Sequence, residues 1–91
     1  MKAIEIYSKD NCPFCQYAIQ KAENMKQYGI ATYKVFKLNI DFDREKLIEQ
    51  FPTARTFPQI KVYKDKIGGY DQLLEYIENT DYNGTGGSKI G

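Results

Sequence analysis

Cys12 and Cys15 stand three positions apart in a chain of 91 residues, with Pro13 and Phe14 between them. They are the only cysteines, and histidine is absent. Histidine-based catalysis is therefore excluded, and a mononuclear zinc site falls short of its usual four Cys/His ligands unless two chains share the metal. A Cys-x-x-Cys pair is then a redox couple, a metal cluster shared between chains, or two small core residues, and its neighbours favour the first. Pro13 suits the first helical position, where its missing N–H costs nothing, and this puts Cys12 at or beside the N-cap. The unpaired N–H groups and positive dipole end of a helix start stabilise a thiolate at Cys12. Cys15 falls one turn in, on the core side. Cys12 is thus expected to attack and Cys15 to resolve. A thiolate of lowered pKa is both populated and a good leaving group, as repeated thiol–disulfide exchange requires.

Such a pair needs a rigid helix and something behind it. Ala3 to Ser8 is apolar and β-branched enough for a short buried strand, broken by Lys9-Asp10-Asn11. Cys15, Ala18, Ile19, Ala22 and Met25 then recur at helical spacing, and Gly29 supplies the stop. Ala31 to Ile40 reads as a second strand, rich in Val, Ile, Tyr, Phe and Thr. Asp41 and Asp43 offer N-caps to a short helix with Leu47, Ile48 and Phe51 on its apolar face, ended by Pro52. After a loop, Phe57 to Tyr63 reads as a strand, Lys64-Asp65-Lys66 as a hairpin turn and Ile67 as the start of a return strand. Gly68-Gly69 ends that strand, and Tyr70 to Asn79 carries Leu73, Leu74 and Ile77 at helical spacing. The order is β-α-β-α-β-β-α.

Hydrophobic residues are 42% and charged residues 27% of the chain, which places it among ordinary globular domains and against wholesale disorder. The formal charge of +1 lacks the footprint of a duplex-DNA binder or a polybasic membrane clamp. No apolar run approaches the ~18 residues that span a bilayer, and Met1-Lys2 leads straight into the first strand, so a cytoplasmic protein is expected, with no nucleic acid or membrane partner. Residues 1–79 read as one domain. From Thr80 the composition turns to Thr, Asp, Asn, Gly, Ser and Lys, with four of the seven glycines in the last eight residues. Residues 80–91 are therefore expected to form a flexible tail with too little apolar surface to offset its ordering entropy.

Tyr7-Ser8-Lys9, Cys12-Pro13-Phe14-Cys15, Thr56-Phe57-Pro58-Gln59-Ile60 and Ile67-Gly68-Gly69-Tyr70-Asp71-Gln72-Leu73 follow one another at separations that resemble a dithiol glutaredoxin, over nearly everything before the tail. The shortness of the chain and its Gly68-Gly69-Tyr70-Asp71-Gln72-Leu73 ending resemble the small bacterial and phage-type members in particular. The resemblance implies an α/β chain of the thioredoxin fold, with a central four-stranded mixed sheet flanked by three helices. It also implies a glutathione groove beside Cys12, with glutathione as reducing co-substrate and no metal. Lys9 matches a contact to the glycine carboxylate of glutathione, and Arg55 a second basic contact. Thr56, Phe57 and Pro58 match the cis-proline loop, where the Phe57 backbone would pair with the cysteinyl part of glutathione like an added strand. Local preference alone makes Phe57–Pro58 trans, since only ~5–6% of X–Pro bonds are cis.

Gly69, Tyr70 and Asp71 match the helix start that would hold the γ-glutamyl end, its N–H groups on the carboxylate and Asp71 on the amino group. Phe14 departs from the commonest pattern, which has tyrosine there; its ring can cover the groove without the phenol. Glu45 stands where relatives often carry a polar contact, and an acidic side chain does not favour a carboxylate. The resemblance implies a monomer acting on disulfide-containing or glutathionylated proteins, ribonucleotide reductase among them. A thioredoxin-like reductase served by a flavoprotein is the nearest enzyme alternative, and the absence of tryptophan counts against it. A glutathione-ligated iron–sulfur module bridged by two chains is the non-enzymatic alternative, and Pro13 counts against that.

Removing everything after Thr80 is expected to leave stability and turnover nearly unchanged. A fall in melting temperature of more than about 4 °C, roughly 1 kcal/mol in a domain of this size, would show that the tail docks.

Overall fold

In the computed structural model, which describes residues 2–79, seven elements follow in the expected order: β1 (Lys2–Ser8), α1 (Pro13–Gln27), β2 (Ala31–Lys37), α2 (Arg44–Gln50), β3 (Gln59–Val62), β4 (Asp65–Gly68) and α3 (Tyr70–Asn79). The tail expected over 80–91 lies outside the described residues. Four strands make one mixed sheet in the order β2-β1-β3-β4, with β1 parallel to β2 and antiparallel to β3, and β3 antiparallel to β4. This is the α/β arrangement of four strands and three helices expected from the sequence. Among the described residues no helix is long and apolar enough to cross a membrane.

The register decides where function can sit. Tyr7 pairs with Gln59, and Ile60 with Gly68. The end of β1, the start of β3 and the end of β4 therefore meet at one end of the sheet. The chain leaves β1 there to enter α1 at Pro13, and leaves β4 there to enter α3 at Tyr70, so both helix N-termini are delivered to the same end.

Two clusters hold the layers together. One joins Ile4, Ile6, Ile60 and Val62 of the sheet to Ala18, Ala22 and Met25 of α1 and to Leu73 and Ile77 of α3. The small Ala18 and Ala22, both fully buried, let α1 lie close to the strands. The other cluster packs Tyr7 against Phe42, Leu47 and Phe51, beneath α2. A polar chain ties this second layer down: Lys61 Nζ donates to Gln50 Oε1 at 3.0 Å, Gln50 Nε2 donates to the Tyr7 hydroxyl at 3.1 Å, and Lys61 pairs with Glu5 at 3.7 Å. Burial, reinforced by the Glu5 carboxylate, raises the Tyr7 phenol above its ordinary value, against the opposing pull of Gln50.

Helix boundaries follow their local chemistry. Gly29, at φ 74°, ends α1 with Gly29 N–H on Lys26 O and Ile30 N–H on Met25 O, each at 2.9 Å. Asp43 caps α2, accepting from Lys46 N–H at 2.9 Å. Asp41, the other expected cap, instead accepts from Lys37 N–H at 2.9 Å and closes the turn after β2. For that reason β2 stops at Lys37 rather than Ile40, with Asn39 at a left-handed φ of 66°. β3 begins at Gln59 rather than Phe57, since Pro58 has no N–H to give a ladder. The hairpin turn is Tyr63-Lys64, not Lys64-Asp65-Lys66: Asp65 already pairs with Val62, and Tyr63 takes φ 55°.

Ile48 also departs from expectation. It is 46% exposed, while Leu47 is 4% exposed against Tyr7 and Phe51. A seven-residue helix lying on a sheet can bury only a narrow stripe, and Leu47 occupies it. Leu47→Ala is expected to cost about 2–5 kcal/mol in denaturant unfolding, whereas Ile48→Ala is expected to stay within about 0.5 kcal/mol of the parent.

Candidate active site

Cys12 is the N-cap of α1 and Pro13 its first residue, as the sequence predicts. Gln16 N–H donates to Cys12 O at 3.1 Å, and Cys15 N–H donates to Cys12 Sγ at 3.2 Å. The cysteine sulfur thus occupies the place of a capping oxygen, with a helix N–H aimed at it. Asn11, at φ 55°, turns the chain from the end of β1 into this cap. The two cysteines are joined as a disulfide, with Cα atoms 5.2 Å apart. Cys12 keeps 8% of its surface and Cys15 none, so Cys12 is the sulfur that an outside reactant can approach.

Beside the pair, a groove of about 220 Å³ is lined by Phe14, Thr56, Phe57, Pro58, Gly69, Tyr70, Asp71 and Gln72. Seven of these are residues singled out in the sequence. Phe14, the second residue past Cys12, forms one wall at 55% exposure, its ring 6.3 Å from that of Tyr70. The Phe57–Pro58 bond is cis, and Pro58 is fully buried. Gln59 Nε2 donates to Thr56 O at 2.8 Å and steadies the loop from behind.

The far wall is the start of α3. Gly68, at φ 105°, turns the chain into it, and a Cβ placed there would meet Gln72 Cγ at 3.1 Å. Gln72 is the site residue the sequence reading did not single out. Its Oε1 accepts from Gly69 N–H at 3.0 Å, the reach-back half of a capping box. The signal was present, a glutamine three positions after the glycine that precedes a helix.

Lys9 and Arg55 do not line the groove. Lys9 stands at its edge, Nζ 5.7 Å from the centroid of Phe57. Its neighbour Asp10 is paired with Lys37 at 3.0 Å, so that carboxylate is drawn toward β2 rather than toward Lys9. Arg55 lies in an adjoining depression with Arg44, Leu47, Ile48 and Ala54, which shares Thr56 and Phe57 with the groove. Glu45 faces another hollow, with Arg44, Ile48 and Glu49. Among the described residues no three metal-ligating side chains converge.

Comparison with known proteins agrees over this region. Residues 4–67 match the family model for glutaredoxin. The chain is 36% identical over 92 residues to glutaredoxin-1 of vaccinia virus (strain Copenhagen), an alignment covering 97% of this chain and 82% of that protein. Its fold superposes on reduced Escherichia coli glutaredoxin with a TM-score of 0.76 at 26% identity, covering 87% of this chain and 98% of the other. Glutaredoxin 1 from Francisella tularensis, solved with cacodylate, shares the fold at a TM-score of 0.61 and 21% identity, over 91% of this chain and 99% of that one. The stretch matched by the family model runs from β1 through the cysteine pair and the cis-proline loop into β4, and on that ground the chain belongs to the glutaredoxin family, thiol–disulfide oxidoreductases of the thioredoxin fold.

Proposed function

We propose that this oxidoreductase is glutathione-dependent and that it reduces both protein disulfides and protein–glutathione mixed disulfides. The observation that carries the reading is the pairing of a helix-capping Cys12, which keeps some exposed surface, with a fully buried Cys15 beside a groove whose far wall is a helix N-terminus. In the reduced protein the Cys12 thiolate attacks one sulfur of a client disulfide. A Cys12–client disulfide forms and the other client sulfur leaves as thiolate. Cys15, once deprotonated, attacks Cys12 Sγ, which expels the second client thiolate and leaves the Cys12–Cys15 disulfide. One glutathione thiolate then opens that disulfide at Cys12, releasing Cys15. A second attacks the glutathione sulfur of the resulting mixed disulfide, giving glutathione disulfide and the Cys12 thiolate.

Glutathione suits the groove end to end. Its γ-glutamyl carboxylate faces the first N–H groups of α3, its amino group faces Asp71, and its cysteinyl backbone runs along Phe57. Gly69 N–H is already held by Gln72, so the N–H groups further into the helix serve the carboxylate. Tyr70 and Phe14 cover the ligand from the rim. Lys9 meets the glycine carboxylate, and Arg55, set in the next depression, assists at longer range. By resemblance the chain works as a monomer in the cytoplasm, with ribonucleotide reductase among its protein clients.

The test is a split between the cysteines in a coupled glutathione and glutathione-reductase assay. Cys12→Ser is expected to lose turnover of both substrate classes. Cys15→Ser is expected to keep deglutathionylation, in which a second glutathione resolves Cys12, yet lose most protein-disulfide reduction. Equal loss from either substitution on both substrates would mean an obligate dithiol or a structural pair. Within the same assay, Lys9→Gln is expected to raise KM for a glutathionylated substrate roughly tenfold, Arg55→Gln less, both effects shrinking at high salt. An unchanged KM in both would move the carboxylate contact elsewhere.

A further inference from the structure

Tyr17 stands one helical turn after Phe14 on α1, outside the lining of the groove and 53% exposed. Its ring centroid is 5.7 Å from that of Phe14 and 5.8 Å from that of Tyr70, and those two are 6.3 Å apart. Three rings from the N-terminal ends of α1 and α3 thus close a triangle on the surface. Single exposed aromatics are ordinary, whereas a contiguous cluster beside a reactive group marks a contact surface.

The chemistry of the occupant can be read from two features. Ring faces attract cations, and this chain places its own lysines that way elsewhere. Lys2 Nζ lies 5.6 Å from the centroids of both Tyr63 and Tyr76, and Lys26 Nζ 6.0 Å from that of Tyr33. Among the described residues no cation stands over the three rings. The helix that contributes Tyr70 sets the same sign of field: α3 carries Asp71, Glu75 and Glu78 and no basic side chain. All three are exposed and lie at i, i+4 and i+7, one acidic stripe that begins beside Tyr70.

We propose that this platform docks a basic segment of the protein client, with an arginine or lysine a few residues from the reacting cysteine laid on the three rings. The inference rests on the thiol–disulfide reading of Cys12 and adds the character of the partner. The groove takes the atoms nearest the sulfur, the rings take the cation, and the stripe favours approach of positive chain. A guanidinium fits best, since it is planar and stacks on rings. A tripeptide confined to the groove has no use for Tyr17.

Three synthetic peptide–glutathione mixed disulfides, identical except for Arg, Leu or Glu two residues from the cysteine, test this with the full chain. The parent is expected to prefer the Arg peptide over the Leu peptide by roughly three- to tenfold in kcat/KM, and the Glu peptide least. Tyr17→Ala, and separately Glu75→Gln/Glu78→Gln, should erase that preference while turnover of the Leu peptide stays as in the parent. A preference for Leu, which would make the platform an apolar seat, or an Arg preference that survives both variants, overturns the proposal. Affinities for the same peptides with serine in place of cysteine should rank the same way and need no turnover. Ranked binding without turnover would fail the exchange chemistry and keep the docking surface; turnover without ranking would do the reverse.

Discussion

At the first turn of α1 the sulfur of Cys12 sits where a capping oxygen would sit, 3.2 Å from the Cys15 amide nitrogen that donates to it. A helix start leaves its first N–H groups without internal partners, and here one of them is answered by the Cys12 sulfur. Once the disulfide is reduced, ionising the Cys12 thiol turns a weak acceptor into a strong one, so the helix start favours the thiolate over the protonated form. Pro13 contributes by lacking an N–H where none is needed and by fixing φ for the first helical residue. Chemistry and helix capping are in this way the same interaction, and the fold must hold that helix end open at an accessible edge.

The sheet does so through its register. Because β1 and β3 run antiparallel with Tyr7 opposite Gln59, the segment leaving β1 and the loop entering β3 come out side by side. The hairpin from β3 to β4 returns the chain to that same end of the sheet before α3 begins. One strand pairing therefore brings together the cysteine pair, the cis-proline loop and a second helix N-terminus. Each is short and none could hold the others in place alone. The rigidity comes from Ile4, Ile6, Ile60 and Val62 packed against α1 and α3 on one face, and from Tyr7 with Phe42, Leu47 and Phe51 on the other.

Much of this was legible in the residues because the signals are local and strong. The period of Cys15, Ala18, Ala22 and Met25, the glycine stop at Gly29 and the proline at position 13 fix α1 within the chain itself. The start of α3 followed in the same way from Gly68-Gly69. What local pattern could not supply is of three kinds. The cis state of Phe57–Pro58 runs against the intrinsic preference of the bond and was reached only by resemblance. The Tyr63-Lys64 turn has neither glycine nor asparagine at its left-handed position, so the better turn formers next to it, Lys64-Asp65, misled the reading. The outward face of Ile48 and the separation of Arg55 from the groove depend on how α2 lies across the sheet, which no spacing in a seven-residue helix encodes.

On these grounds the helix start makes Cys12 the reactive thiolate of the pair. The rate of alkylation of the fully reduced protein should be followed against pH, with the modified residue assigned by mass spectrometry. Cys12 is expected to react first, along a titration curve whose apparent pKa lies well below the free-thiol value of about 8.5. An apparent pKa at or above that value, or Cys15 reacting ahead of Cys12, would contradict it.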